Sequence, residues 1–451
     1  MLRSPVVGRI AALALAAAVA FAPPASPAAV PFEGRWRLSL DRPGWEPREA
    51  IGTLVLERGK GGWKGTLAFE ILMNGQRQDL VDLRIEGETI AFKLAALGYA
   101  MKGEKAGGSI SGVCDTTRGQ QFTWTATPDR PVPVDLFEKG LSFKGYFPRG
   151  EARDLGIDAA SLQDLVREAE SSDTDALLVL KDGKVVCERT FGREAGPIPV
   201  MSVTKFVTAF AVALLLQEGR IESLDAPVST WFPAWKEGAR GMVTLRHLAT
   251  HTSGIAHGKT ADALNKAEDR VAFVLAAEVA DPGKTWSYNN EAVALLSGIV
   301  SKAAGKPCDA YLGEKLLKPL GIEDWKWDRD GAGNTVTYAQ LRLTARDLAR
   351  IGQFVVDGGK AGKRGILSAG SLALLEGEAT PVEKGQGLLW LRILEGTECV
   401  GVRHDGWLGQ HVVVYPRSGL VGVRLRRGAK GEGKEWDFGR FPARLRACLR
   451  R

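Results

Sequence analysis

The sequence predicts an α+β protein in two parts, a small all-β domain ahead of a larger one that mixes helices and strands. Three observations carry this. Residues of about 31–127 form short β-rich runs separated by Gly, Asp and Asn turns. From about Gly145 the texture changes to an amphipathic helix, two strands and then long apolar helical stretches. The C-terminal part returns to strands, so the second domain draws its sheet from both of its ends, with helices inserted between. At 451 residues the chain exceeds a single core, and its 45% apolar and 25% charged residues describe a folded protein rather than a disordered one.

The elements follow in order. The N-terminal "MLRSPVVGRIAALALAAAVAFAPPASPAAVPFEG" sets Arg3 and Arg9 ahead of an apolar run from Ile10 to Ala22, ended by Pro23 and Pro24. That is a secretory signal peptide over 1–29, too short to span a bilayer, and it predicts a periplasmic or secreted protein. No later segment is long and apolar enough for a membrane span. In 30–128, "RWRLSL", "AIGTLVLER", "GWKGTLAFEIL", "DLRIEGETIAFKL", "GSISGVC" and "QQFTWTATP" read as strands of a small barrel-like domain. The Gly-rich "ERGKGGWKGT" joins two of them and lacks phosphate-loop spacing, so it is a hairpin turn. The Pro-containing "TPDRPVPVDLFEKG" marks a linker over 129–150, and 151–451 forms the second domain.

Within that domain "DAASLQDLVREAES" is an amphipathic helix, and "DALLVLKDGKVVCERTFG" is a hairpin about Asp182-Gly183. Helices are expected over 205–218, with Gly219 suited to its C-cap, over 291–304, and over 345–356. The last begins at Thr344 with Asp347 three residues on, close to a capping box. The chain closes on "GQHVVVYPRSGLVGVRLRRG", a hairpin through Pro416–Gly419, and a short basic helix.

Net charge is +7, with the Lys and Arg scattered rather than striped, which excludes a nucleic-acid surface as the main function. The five cysteines are dispersed and none lies in a C-x-x-C pair, so there is no disulfide framework. No feature calls for a cofactor, and none specifies an oligomeric state.

The chemistry concentrates at three places. "PVMSVTKFVTAFAVALLLQEG" opens the most apolar helix of the chain with Ser202 and Lys205 three residues apart, on one face. Serine needs a base within hydrogen-bond reach, and a lysine set in an apolar helix loses its charge preference through burial. A capping serine with a solvated lysine is the bland alternative. Two further motifs weigh against it. Tyr288-Asn289-Asn290 lies 86 residues on, the only Tyr-x-Asn among six tyrosines. His404-Asp405-Gly406 lies 116 residues beyond that, the only His-x-Gly among five histidines.

With these three motifs in this order, the sequence resembles the serine β-lactamase and penicillin-binding-protein superfamily. It looks most like the branch of class C β-lactamases, D-alanyl-D-alanine carboxypeptidases and related serine esterases. The resemblance spans roughly 150–430 and includes "GRIESLDAPVSTWFP", "LRHLATHTSGI" and "LRLTARDLARIGQFVVDGG". It implies a β-lactamase/transpeptidase-like domain, an antiparallel sheet flanked by helices with a helical subdomain. The 31–127 region is similar to small lipocalin-like β domains found beside such hydrolases.

For the matching positions the resemblance implies Ser202 as the acylated nucleophile, with Lys205 and Tyr288 sharing general-base and general-acid work. Asn290 would contact the substrate's amide side, and His404 and Gly406 would line the strand where substrate docks. The backbone N–H groups of Ser202 and Trp407 would form the oxyanion hole. Asp405, alternating away from His404 along a strand, is not expected to be catalytic. His247 and His251 stand at i, i+4, a zinc-pair spacing, but without the glutamate of a His-Glu-x-x-His helix or a third ligand, so no metal is expected.

Where many penicillin-recognising enzymes carry Lys-Thr-Gly, this chain has His404, neutral over most of the physiological range. Its weaker pull on a carboxylate, unless Arg403 or another arginine reaches in, favours uncharged esters or peptide amides over penicillins. The expected function is therefore an exported serine hydrolase acting on an ester, amide or D-amino-acid peptide bond, its partner a small-molecule or peptide substrate. A penicillin- or cell-wall-peptide-binding sensor that acylates with little turnover is the alternative. A third reading gives the N-terminal domain an apolar or glycan ligand of its own.

Overall fold

The computed structural model describes residues 32–41, 51–59, 61–69, 77–106, 108–129, 134–193, 196–258, 261–428 and 439–450. The expected signal peptide at 1–29 lies outside the described residues. The chain forms two compact units, one up to Arg130 and one from Pro131 onward that also takes in Phe69–Arg77.

The first unit is antiparallel throughout. Its strands are β1 (Gly34–Asp41), β2 (Ile51–Gly59), β3 (Gly62–Phe69), β4 (Gln78–Asp79), β5 (Val81–Glu86), β6 (Thr89–Leu94), β7 (Tyr99–Ala106), β8 (Ser109–Thr116) and β9 (Gln121–Pro128). They are ordered β4-β3-β2-β1-β9-β8-β7-β6-β5. The two edge strands, β4 and β5, are joined by Leu80 alone, so the chain itself holds the edges together and the sheet curls into a nearly closed barrel. Inward residues alternate, and Trp36, Leu38, Leu54, Phe92, Ile110 and Trp124 are buried. Six runs in the sequence become nine strands. "DLRIEGETIAFKL" is the β5–β6 hairpin, and β7 was not anticipated because lysines, a glycine and a glutamate break its alternation after Met101.

The second unit holds β10 (Ala176–Lys181), β11 (Lys184–Arg189), β12 (Ile198–Pro199), β13 (Lys326–Trp327), β14 (Leu341–Leu343), β15 (Lys360–Ala361), β16 (Arg364–Gly365), β17 (Leu391–Glu395), β18 (Glu398–Gly406), β19 (Gln410–Tyr415) and β20 (Leu420–Leu425). Six of them build an antiparallel sheet, β11-β10-β20-β19-β18-β17, in which the early hairpin pairs with the last strand. This is the sheet assembled from both ends of the domain. At the β10–β11 turn both Asp182 and Gly183 have positive φ, 51° and 69°, as a type I′ hairpin requires. A smaller sheet, β12-β14-β13, lies at the entrance to the nucleophile segment.

Five helices matter to the argument: α1 (Ala159–Ser171), α2 (Thr204–Gln217), α3 (Asn290–Ala304), α4 (Ala345–Val356) and α5 (Arg440–Ala447). Alternate residues of the six-stranded sheet enter two cores. Val421 and Val423 join the core of α2, α3 and α4, while Leu420 and Val413 join that of α1 and α5. Helix α4 has the expected capping box between Thr344 and Asp347. Helix α2 is buried at every position from Thr204 to Leu215. A helix apolar all round has no solvent face, and this one is clamped by Trp390, whose ring stacks on Phe206 at 4.4 Å and whose Nε1 donates to the Phe206 carbonyl at 2.9 Å.

Candidate active site

The nucleophile segment enters α2 through a single 3₁₀ turn, Met201–Val203, with Lys205 in the first turn of the helix proper. Met201 takes the left-handed conformation, φ 48°, so the residue before Ser202 carries backbone strain that the surrounding packing holds in place. Strand β18 makes that possible by approaching with a glycine. A Cβ on Gly406 would stand 2.7 Å from the Val200 carbonyl oxygen and 3.1 Å from the Met201 Cβ.

Lys205 is fully buried, and its Nζ lies 3.2 Å from Ser202 Oγ and donates to the Tyr338 carbonyl at 2.8 Å. Among the described residues no carboxylate pairs with it. Desolvation alone drives its pKa well below 10.5, towards the neutral amine. A neutral amine that spends one N–H on Tyr338 keeps its lone pair for the Ser202 hydroxyl proton. The Tyr288 hydroxyl is hydrogen-bonded to Ser202, and burial pushes its pKa up to about 12, with the serine contact pulling the other way. The residue as a whole is 37% exposed. The Lys205 Nζ stands 4.8 Å from the ring centroid. Ser202, Lys205 three residues on and Tyr288 from a distant segment therefore meet at one oxygen.

The two asparagines after Tyr288 divide their work. Asn289 caps α3, accepting from Ala292 N–H at 2.8 Å and donating to the Ile255 carbonyl at 2.8 Å. Asn290 begins the helix with its Oδ1 buried and without a partner among the described residues.

His404 is buried on β18. Its Nδ1 lies 2.8 Å from the Asp405 carbonyl, an acceptor, so Nδ1 carries the proton and Nε2 is an acceptor. Burial first, then the nearby Lys205, His251 and Arg403, push its pKa well below 6.5, and the ring is neutral. Arg403 does not reach in beside it. It pairs with Asp405, which also accepts from His411 Nδ1 at 2.9 Å on the neighbouring strand β19. Residues 403 and 405 share the face opposite His404, as alternation requires. Trp407 sits at the turn after β18 with its side chain 65% exposed.

Sequence reasoning missed His251 and Tyr338. His251 does not pair with His247 around a metal. The His247 Nδ1 accepts from Thr244 N–H in a helix cap, and the His251 Nδ1 accepts from Asn289 N–H at 3.1 Å. The His251 ring packs on Tyr288, centroids 4.7 Å apart, with its pKa driven to about 3, chiefly by burial. Tyr338 acts on Lys205 through its main chain, and a carbonyl leaves no trace in residue identity.

This fold is the β-lactamase/transpeptidase-like one. Residues 162–438 match the family model for Beta-lactamase, and the chain belongs to that family. Esterase EstB of Burkholderia gladioli is 30% identical over 179 residues, covering 33% of this chain and 45% of its own length. The D-alanyl-D-alanine-carboxypeptidase/endopeptidase AmpH of Escherichia coli (strain K12) is 30% identical over 179 residues, 34% of this chain and 45% of its own. The chain thus spans less than half the length of these curated relatives. Among solved structures, a putative β-lactamase from Bacteroides dorei superposes with TM-score 0.58 at 20% identity, over 65% of this chain and all of that one. EstCE1, a hydrolase with promiscuous acyltransferase activity, does so with TM-score 0.53 at 17% identity, over 66% and 99%. At these identities the likeness is one of fold.

Proposed function

We propose that this serine hydrolase is exported and works through an acyl-enzyme on Ser202, cleaving esters or amides, D-amino-acid peptides included. The observation that carries it is a solvent-stripped lysine amine, with no carboxylate partner among the described residues, 3.2 Å from a serine oxygen that also bonds a phenol. Lys205 takes the Ser202 proton as Oγ attacks the substrate carbonyl carbon. The oxyanion that forms is held by the backbone N–H groups of Ser202 and Trp407. Tyr288 donates a proton to the departing alcohol or amine, and Lys205 restores it. Water then enters on the acyl-enzyme, gives up a proton by the same route, and releases the acid and free Ser202.

The substrate preference rests on His404. A neutral ring whose free nitrogen accepts rather than donates does not attract a carboxylate at that point, so esters and peptide amides are favoured over penicillins. The esterase among the relatives supports that order. Export rests on the pattern of 1–29.

Wild-type protein and Ser202→Ala are to be incubated with a p-nitrophenyl acyl ester, a chromogenic cephalosporin and a D-Ala-D-Ala peptide. Turnover of the ester or peptide that vanishes in the variant is expected. A variant as active as wild type on every substrate turned over sinks the mechanism, and a stoichiometric adduct on Ser202 without turnover makes the protein a sensor. Mass spectrometry of material from the periplasm or medium should show an N-terminus near residue 30.

A further inference from the structure

In the second unit, Arg270, Lys326, Trp327, Asp328, Arg329 and Gln340 line a cavity of about 330 Å³ that includes none of the Ser202 constellation. Three cations meet one carboxylate there. Arg329 is committed elsewhere, gripping Asp309 through Nε at 3.0 Å and Nη2 at 2.8 Å. Arg270 is not. Its Nη2 donates to the Asn265 carbonyl at 3.0 Å, but its Nε and Nη1 are shut off from solvent and meet no acceptor among the described residues.

The register adds to the imbalance. Lys326 on β13 stands directly opposite Arg342 on β14, two positive charges across one ladder. Lys326 has no ion-pair partner among the described residues. Arg342 reaches Asp328 only at 4.0 Å, and its Nε is also buried without an acceptor. Like charges directly opposed on neighbouring strands repel, and a buried guanidinium nitrogen with nothing to donate to is a standing cost. An anion bound between Arg270 and Lys326 relieves the repulsion across the ladder, and a turn of the Arg270 guanidinium towards it would give the two orphaned nitrogens an acceptor. Gln340, held at φ 66°, adds an amide to the lining.

We propose that this cavity is a binding site for an oxyanion group, a carboxylate or phosphate, carried by the substrate whose reactive carbonyl Ser202 attacks. Tyr338 ties the two places together. Its carbonyl holds Lys205, and its ring centroid is 5.9 Å from the Lys205 Nζ and 5.9 Å from the Arg270 guanidinium carbon. Arg270 therefore lies within about 12 Å of the Lys205 amine, a distance that matches the length of a dicarboxylic monoester or a short acidic peptide. The ester or amide end is uncharged at His404, and the charge that selects the substrate is read here instead. The proposal rests on the hydrolase reading for the reacting end of the substrate but not for the anion.

Two measurements separate those dependencies. In the first, kcat/KM is taken for mono-p-nitrophenyl adipate and for p-nitrophenyl hexanoate with wild type, Arg270→Gln and Lys326→Gln. The acidic-to-neutral ratio should fall roughly 10- to 100-fold in Arg270→Gln, as loss of a charge-assisted pair predicts, and by less in Lys326→Gln, whose side chain is exposed and whose folding is not in question. In the second, adipate and inorganic phosphate are titrated calorimetrically into wild type and Arg270→Gln, with no turnover required. Arg270-dependent adipate binding without any ester turnover leaves the site standing and removes the hydrolase reading. Ser202-dependent hexanoate hydrolysis with a ratio unchanged in both variants removes the site as a substrate subsite and leaves the hydrolase. Phosphate binding alone, with that unchanged ratio, assigns the cavity to free anion and overturns the proposal, as does failure of both ligands to bind wild type.

Discussion

Gly406→Ala tests how the nucleophile turn is held. The added methyl would lie 2.7 Å from the Val200 carbonyl oxygen, 3.0 Å from the Gln410 Cβ and 3.1 Å from the Met201 Cβ. None of these is the loose end of a flexible side chain, so relief requires β18 and the turn to part by several tenths of an ångström. The Val200 oxygen also accepts from Val203 N–H at 3.0 Å, closing the turn that presents Ser202. Overpacking of this kind costs about 1–3 kcal/mol of stability. The catalytic loss should be larger, because a displacement approaching 1 Å in a reacting group costs about 10²-fold in rate. Gly401→Ala in the same strand is the control: its methyl would meet the Val414 carbonyl oxygen at 2.6 Å and the Tyr415 ring at 2.7 Å, away from Ser202. The assay is kcat/KM on a p-nitrophenyl ester, corrected for the folded fraction from thermal melts. Gly406→Ala should fall about 100-fold while Gly401→Ala loses stability and keeps its activity per folded molecule. If Gly406→Ala stays within about twofold of wild type, or both lose activity equally, the close approach at Gly406 does not position the nucleophile.

Lys205→Met should be inactive, and its stability relative to wild type should depend on pH. The folded pKa of Lys205 is lowered and the unfolded one is 10.5. Between those values the unfolded chain holds a proton that the native chain does not, so wild-type stability rises with pH by up to about 1.4 kcal/mol per unit, and the variant should lack that slope. Parallel stability curves for the two proteins would mean that Lys205 is charged in the fold. His251 and His404 make a similar case at lower pH. Both are buried neutral, His251 with a pKa near 3 and His404 well below 6.5, so their contribution is whole above 6.5 and is lost as pH falls below it. Together they should remove about 3 kcal/mol per pH unit in guanidinium melts below 6.5, and His404→Asn should lower the measured slope by about 1.4 kcal/mol per pH unit. His411 is pushed well below 6.5 too, by burial and then by Arg424 and Arg403, and adds to this loss. Equal stability at pH 7.5 and pH 5 would contradict the neutral burial of these rings.

Side-chain chemistry at fixed spacing was the legible part of this molecule. Ser202 with Lys205, Tyr288 with Asn290 and His404 with Gly406 are each a short local pattern, and their order along the chain was enough to gather them. Backbone devices with a sequence cost were legible too: Asp182-Gly183 needs two positive φ values, and Thr344 with Asp347 closes a capping box. What stayed hidden acts through the main chain or through register. The acceptor that fixes Lys205 is a carbonyl, and any residue at 338 would supply one. The sequence shows His251 only through its helical spacing to His247, where no metal is expected, while its structural neighbours, Tyr288 and Asn289, lie some 38 residues away. Strand β7 was lost because Gly103 and Lys105 fall on its inward face, where the alternation calls for apolar residues.

The distribution of charge along β18 bears on what the site selects. Alternation on β18 excluded Asp405 from catalysis, and the same rule, applied one step earlier, places Arg403 on Asp405's face and away from His404. With Arg403 spent on Asp405, the docking strand presents a neutral ring where relatives of the Lys-Thr-Gly kind present a cation. The positive charge that such a site would use to hold an acid is not missing from this protein, however. Lys326 and Arg342 oppose each other across β13 and β14, and β14 begins three residues after Tyr338, whose carbonyl holds Lys205. The attractive field has moved from the docking strand to the far side of Tyr338. A substrate chosen there carries its charge several bonds from the scissile carbonyl, unlike a penicillin, whose carboxylate adjoins its ring.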